Sequence, residues 1–142
     1  MATGFIMERN LWHQLNLLQK QKKQWRFTRI ETTTINGVPD VFCIIKGLNF
    51  FLELKANEDK NYGLSKYQII WQLDFINCGG IVYNLVLAPL HRELKLIALD
   101  PASFSFNHTD KEHKSKFLVL ETMKYTQDNL FKIINLILIR NS

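Results

Sequence analysis

The segment Ile81–Ala88 constrains the fold more than any other part of the chain. It is a continuous apolar run of strand length that follows the turn pair Gly79-Gly80. Strands of this kind are buried on both faces and lie in the middle of a sheet. The sequence therefore predicts that residues 81–88 form a central, two-sided strand.

Helix and strand patterns lie on both sides of this segment. Apolar residues at spacings of three and four predict helices, and apolar or β-branched runs between turn residues predict strands. The predicted helices cover residues 5–24, 65–77 and 129–140. The further predicted strands cover residues 25–34, 41–45, 50–55, 94–99 and 117–120. This order predicts an α/β fold with a mixed central β-sheet flanked by helices.

Length and composition predict a single domain over residues 1–142. A chain of 142 residues with 46% hydrophobic content can bury one sizeable core but is short for two. The two cysteines, Cys43 and Cys78, form no CxxC pair, which favours a reducing, intracellular setting. The sequence has neither a signal-peptide pattern nor an apolar stretch of membrane length. We therefore expect a cytoplasmic protein with no membrane association.

The excess of positive charge is concentrated near the N-terminus. The net charge is +5, and residues 1–30 contain six basic residues but only one acid, Glu8. Such a cluster can attract a polyanion such as DNA, although basic residues at the end of a helix also interact favourably with the helix dipole. The candidate DNA-binding residues here are Lys20, Lys22, Lys23, Arg26 and Arg29, and Lys66 at the start of the second helix is a sixth.

A carboxylate and a lysine stand close together in an otherwise apolar strand. Glu53 and Lys55 share one face of the predicted strand 50–55 because side chains alternate. A hairpin through residues 46–49 would bring Asp40, at the start of the preceding strand, beside them. Burying such groups is costly unless they are paired or used. We therefore predict that Asp40, Glu53 and Lys55 converge on one site.

These residue types suit phosphodiester hydrolysis. Mg²⁺ favours oxygen ligands, so Asp40 and Glu53, with the backbone carbonyl of Leu54, can form a partial shell that leaves room for phosphate. The metal would activate a water, while Lys55 would orient that water or stabilise charge on the phosphate. The alternative is that Glu53 and Lys55 form an exposed ion pair without catalytic use.

The motifs around these residues resemble the PD-(D/E)xK nuclease superfamily. The residues that carry the resemblance are GVPD at 37–40, FFLELKA at 50–56, LSKYQ at 64–68 and the turn Gly79-Gly80 before an apolar strand. They are most similar to the VRR-NUC and phage-type resolvase-like branch. The resemblance covers about a third of the chain and leaves residues 90–142 unmatched.

The resemblance implies a role for five residues. It implies that Asp40 and Glu53 are metal ligands, that Lys55 is the catalytic lysine and that Gln68 is an active-site glutamine. It also implies that Glu8, on the first helix, completes the metal site. Gln68 has an alternative role, because Ser65 and Gln68 have the spacing of a helix capping box.

These observations together predict a Mg²⁺-dependent DNA endonuclease, in which Mn²⁺ can substitute and no organic cofactor takes part. The substrate stays open between a particular duplex site, as for a homing or restriction enzyme, and a DNA structure, as for a Holliday-junction-type resolvase of phage origin. The small size suggests a phage or mobile-element source. A homodimer or higher oligomer is expected, with the apolar C-terminal helix as one possible contact. The rival hypotheses are a catalytically inactive DNA-binding protein and a purely structural module.

Overall fold

In the part of the chain that the structure describes, three α-helices flank an open, mixed sheet of six strands. The structure is a computed structural model; it describes residues 3–31, 35–104 and 116–142, with only the backbone for residues 3–6 and 60. The helices are α1 (Thr3–Gln21), α2 (Lys66–Asn77) and α3 (Gln127–Arg140). The strands are β1 (Trp25–Arg29), β2 (Val41–Ile45), β3 (Leu48–Lys55), β4 (Val82–Ala88), β5 (Glu93–Leu99) and β6 (Phe117–Lys124). The predicted α/β class is confirmed.

The strands lie in the sheet in chain order, from β1 at one edge to β6 at the other. Neighbouring strands are antiparallel except β3 and β4, which are parallel and are connected through α2. Every residue of β4 is buried. The prediction of a central strand at residues 81–88 is therefore confirmed, one residue shorter at its start.

One face of the sheet is covered by α1 and α3. The main core contains the buried stripe of α1 at Leu11, Leu15 and Leu18 together with inward-facing residues of the strands. The four buried residues of α3 also belong to it; they are Leu130, Ile133, Ile134 and Ile137. Since α3 uses these residues within its own chain, they are not free for a subunit contact.

The other face of the sheet is covered by α2. A smaller apolar cluster there includes Ile69 of α2 and Val86 of β4. Beside it, the side chains of Gln72 and Asn84 exchange two hydrogen bonds of 2.8 and 2.9 Å, and both residues are fully buried. This amide pair joins the middle of α2 to the central strand.

Several predicted boundaries differ from those in the structure. The first helix ends at Gln21 and not at the predicted residue 24, where Gln24 takes a positive φ of 67° that a helix does not allow. The first strand ends at Arg29; of its predicted residues, 32–34 lie outside the described part. The last strand runs on to Lys124 because it pairs with β5 as far as Glu93. No helix among the described residues is long and apolar enough to cross a membrane.

Candidate active site

Asp40 and Glu53 face each other across two neighbouring strands. Val41 pairs with Leu52 in the antiparallel β2–β3 ladder, so Asp40, one residue before β2, comes opposite Glu53. Opposite residues of an antiparallel pair project from the same face of the sheet. The backbone amide of Leu54 also donates a 3.0 Å hydrogen bond to Asp40 Oδ2. The structure therefore brings the two carboxyl groups together on the face that α2 covers.

The segment that leads into Asp40 is held against the start of α2. Gly37 has a positive φ of 90°, and a Cβ at this position would collide with the backbone carbonyl of Tyr67. Pro39, two residues later, is buried. Position 37 therefore requires a glycine for two reasons: other residues rarely adopt this φ, and their Cβ would not fit beside the Tyr67 carbonyl. The Gly-Val-Pro-Asp sequence thus fixes Asp40 relative to the first turn of α2.

Glu53 is a buried carboxyl group with an unusual balance of contacts. Only 2% of its surface is exposed. Its Oε1 accepts a 3.1 Å hydrogen bond from the side-chain amide of Gln68 and lies 4.0 Å from the Lys55 ammonium. Burial raises the pKa of Glu53 to about 9, and the charge of Asp40 and a hydrogen bond with it act in the same direction. Lys55 opposes this rise in pKa without cancelling it.

The second oxygen of Glu53 lacks a hydrogen-bond donor. Oε2 is buried and has no such partner among the described residues. The Asp40 carboxyl lies within hydrogen-bond range of Glu53 and is also an acceptor when ionised, so a hydrogen bond between the two acids needs a proton on one of them. Two acceptors in contact repel unless a proton or a cation lies between them. The pair is therefore a site where a positive charge is favoured.

Gln68 takes part in two interactions at once. Its Oε1 accepts a 2.8 Å hydrogen bond from the Ser65 backbone amide. The Ser65 hydroxyl in turn accepts a hydrogen bond from the Gln68 backbone amide, which completes a capping box. Its Nε2 donates to Glu53. The two roles considered for Gln68 are thus compatible, because the cap uses its oxygen and Glu53 uses its nitrogen.

Glu8 reaches the site from the other side of the sheet. It is half-buried on α1, and its carboxylate accepts a hydrogen bond from the backbone of Ala56, just beyond β3. Burial raises the pKa of Glu8, and the charge of Asp40 adds to the rise, while Lys55 opposes it. Glu8 is thus within electrostatic range of the other site residues.

The acidic groups fit a divalent cation in part. Two carboxyl groups with an unsatisfied buried oxygen are suitable donors for Mg²⁺, which keeps several waters and needs few protein ligands. However, the described residues contain no group of three or more His, Cys, Asp or Glu side chains arranged to hold a metal ion. Glu8 therefore does not form a complete ligand set with Asp40 and Glu53 in this geometry. The Leu54 carbonyl, predicted as a ligand, belongs to the residue whose amide binds Asp40.

The predicted DNA-binding residues lie at different distances from this site. Lys66 is in the first turn of α2, and Arg29 ends β1 opposite Val41, so both are close to it. Arg26 lies further along β1, opposite Ile44. Lys20, Lys22 and Lys23 come before Trp25, which is opposite Ile45 at the far end of β2, roughly 13 Å from Val41. Lys22 lies over the ring of Phe131, 4.3 Å from its centre.

Sequence reasoning missed the buried pair of Gln72 and Asn84. Asn84 is the register partner of Glu53 in the parallel β3–β4 pair, and Gln72 is one helical turn after Gln68. Two neighbouring polar contacts therefore join α2 to the sheet, of which one includes Glu53. An asparagine inside the apolar run 81–88 was the available signal, since a buried amide needs a partner.

Comparisons with known proteins gave no match: no protein-family model, no curated protein and no solved structure is similar to this chain.

Proposed function

We propose that the chain is a divalent-metal-dependent DNA endonuclease of the PD-(D/E)xK type, similar to the VRR-NUC and phage-type resolvase-like branch. The observation that carries the proposal is the contact of Asp40 with Glu53, whose second oxygen is buried and has no donor among the residues that the structure describes. Lys55 and Gln68 lie on the other side of Glu53. Buried polar atoms are usually paired, so a buried carboxyl oxygen without a donor beside a second acid favours a cation-binding role.

The carboxyl groups of Asp40 and Glu53 would hold Mg²⁺ or Mn²⁺, with Glu8 and the Leu54 carbonyl as further candidate ligands. Such a cation, when bound, would lower the pKa of a water and stabilise negative charge on the phosphate. Its binding would require Glu53 to lose the proton that its raised pKa retains. The hydrogen bond from Leu54 orients Asp40, and the hydrogen bond from Gln68 orients Glu53.

In the described part of the chain, Lys55 supplies the cation that lies beside the buried carboxyl of Glu53. Its ammonium is 4.0 Å from Glu53 Oε1, and 17% of its side chain is exposed. It is therefore accessible from solvent yet held near the pair of acids. In the proposed reaction Lys55 orients the attacking water or stabilises charge on the phosphate.

A second candidate function is DNA binding without hydrolysis. The observation that favours it is the absence, among the described residues, of a side-chain group with three or more metal ligands. In this reading the site would bind no catalytic metal, and the basic residues would bind DNA backbone phosphates. The two functions differ in whether DNA is cut, which a cleavage assay decides.

The test is a cleavage assay with supercoiled plasmid, a four-way junction and single-stranded DNA, in Mg²⁺, Mn²⁺ or chelator. We expect cutting in either metal and none in chelator. Asp40→Asn and Lys55→Met should each reduce the rate about 100-fold or more. Lys124→Met, which removes an exposed lysine of β6, is the matched control and should cut as the wild type does.

Two results would contradict the proposal. Cutting that persists in both Asp40→Asn and Lys55→Met would show that hydrolysis occurs elsewhere. Binding without cutting in every metal would favour the inactive DNA-binding protein.

A further inference from the structure

An open groove lies beside α1 near the end of β1. It encloses about 510 Å³, which is within the range of pockets that hold small organic ligands. Its lining residues are Arg9, Trp12, His13, Asn16, Arg29 and Glu31. The groove is distinct from the Asp40–Glu53 pair, since neither acid lines it.

Four of the lining residues form one face of α1. Positions 9, 12, 13 and 16 are spaced by three, four and seven residues, which places them side by side on a helix. The stripe at Leu11, Leu15 and Leu18 faces the core instead. The helix thus presents a second face, which combines an arginine, a histidine, an amide and an indole ring, to the groove.

The charges of the groove suit an anion with a flat apolar part. Arg9 and Arg29 contribute two guanidinium groups, whose planar forks match phosphate oxygens. Glu31 is the one acid of the lining; it is 85% exposed and lies 3.8 Å from Arg29. The lining is therefore cationic, while Trp12 offers the ring on which a base can stack. An acidic peptide would use the arginines but would have less use for the indole.

The groove comes near the proposed catalytic site at Arg29, because the next residue, Ile30, donates its backbone amide to the Asp40 backbone carbonyl at 2.7 Å. Trp12 lies one helical turn after Glu8, about 6 Å along the axis of α1. Arg29 is close enough to Glu8 to favour its ionised form. The groove and the Asp40–Glu53 pair are therefore near enough for one DNA molecule to contact both.

We propose that this groove binds an unpaired nucleotide of the DNA, with its phosphate on Arg9 and Arg29 and its base on Trp12. The inference rests on the proposed endonuclease function and narrows its substrate class. A base inside a duplex is stacked on its neighbours and cannot reach Trp12. DNA with a single-stranded or unpaired segment beside the cut is therefore preferred over an intact duplex.

The test measures binding in chelator, where no cutting occurs. A fluorescent single strand and the matched blunt duplex are titrated with the wild type, Arg9→Gln and Trp12→Leu. Lys132→Gln, an exposed position on α3 outside the groove, is the charge-matched control. Arg9→Gln should weaken binding to the strand about fivefold or more and reduce the salt dependence by about one phosphate contact. Trp12→Leu should weaken binding to the strand about fivefold or more and leave the duplex within about twofold.

Trp12 also packs partly against the core, so its role needs a second measurement. The single strand should quench the tryptophan fluorescence of the wild type, and Trp12→Phe, which keeps a ring there, should remove most of that quenching. Unchanged strand binding by Arg9→Gln, or quenching that persists in Trp12→Phe, would overturn the inference.

The groove and the catalytic proposal can fail separately. Groove variants that lose strand binding in a protein that cuts no DNA would support the groove and contradict the endonuclease. If the protein cuts DNA but its groove variants bind the strand as the wild type does, the endonuclease is supported and the groove proposal is contradicted.

Discussion

The side chain of Gln68 connects the capping box of α2 to the buried carboxyl of Glu53. Its oxygen accepts a hydrogen bond from the Ser65 amide at 2.8 Å, and its nitrogen donates to Glu53 Oε1 at 3.1 Å. The position of the helix start and the orientation of Glu53 are thus set by one residue. Because the two contacts use different atoms of Gln68, they can be separated by substitution.

Gln68→Glu and Ser65→Ala should differ in their effect on activity. Gln68→Glu keeps an acceptor for the Ser65 backbone amide but replaces the donor to Glu53 with a second acceptor, so cutting should fall about 10- to 100-fold, and repulsion between the two carboxyl groups should also lower stability. Ser65→Ala removes the hydroxyl half of the cap and should cost about 1 kcal/mol of unfolding free energy while cutting continues. Cleavage rates and urea unfolding of both variants provide the measurement. Equal activity in the two variants would mean that Gln68 acts only as a cap.

Glu53 should make stability depend on pH in the absence of divalent cations. Burial raises the pKa of Glu53 from 4.5 to about 9, so the folded protein keeps a proton that the unfolded chain releases within this window. The free energy of unfolding should therefore fall as pH rises from 4.5 to about 9, by up to about 1.4 kcal/mol per pH unit. Glu53→Gln, which stays neutral, should be more stable than the wild type at the alkaline end by about 2 kcal/mol or more.

Urea unfolding in chelator across this pH window checks the effect of Glu53. Glu31→Gln, which changes an exposed side chain, serves as the control and should follow the wild-type profile. The two proteins, wild type and Glu53→Gln, should converge in stability below pH 4.5, where both carry a neutral side chain. Parallel profiles for these two proteins would show that Glu53 is ionised in the folded state.

Breaking the buried amide pair should cost more than removing it entirely. Asn84→Leu leaves Gln72 buried without its partner, which should lower the unfolding free energy by about 2 to 3 kcal/mol. The double variant Gln72→Leu/Asn84→Leu leaves neither amide unpaired and should recover part of that loss. Urea unfolding of the two single variants and the double variant gives the coupling energy. Strictly additive losses would argue against a paired role.

Gly37 and Gly47 form a matched pair for testing the contact with α2. Both have a positive φ, of 90° and 87°, so an alanine at either costs about 1 to 2 kcal/mol of backbone strain. A Cβ at Gly37 meets the Tyr67 carbonyl, whereas one at Gly47 meets nothing within 4 Å. Gly37→Ala should therefore be the less stable variant and should also lose cutting, because Asp40 is displaced. Similar stability and activity in the two variants would exclude this steric effect.

Much of the sheet could be predicted from local pattern. The bounds of β2 at Val41–Ile45 agree with the prediction because turn residues flank the apolar run on both sides. The meeting of Asp40 with Glu53 followed from the predicted hairpin, although its turn is Lys46-Gly47 and not the expected residues 46–49, so β3 begins two residues earlier. The spacing of apolar residues predicts strand bounds and hairpins because these features depend on residues that are close in sequence.

Contacts between distant segments were harder to predict. The polar face of α1 at Arg9 and Trp12 had a readable helical spacing, but a groove exists only where that face meets Arg29 of β1. The pairing of Gln72 with Asn84 likewise depends on how α2 crosses the sheet. Local pattern does not set these distances, since they arise from packing of whole elements.

The proposed centre draws on four separate stretches of chain: α1 for Glu8, the entry to β2 for Asp40, the end of β3 for Glu53 and Lys55, and the first turn of α2 for Gln68. A nascent polypeptide that has emerged only through β3 already contains three of these stretches but lacks the glutamine. Hydrolysis would therefore need α2 to be synthesised and packed against the sheet, and it would be lost together with the native state on heating. A nuclease built in this way would not cut DNA as a nascent chain that still lacks α2.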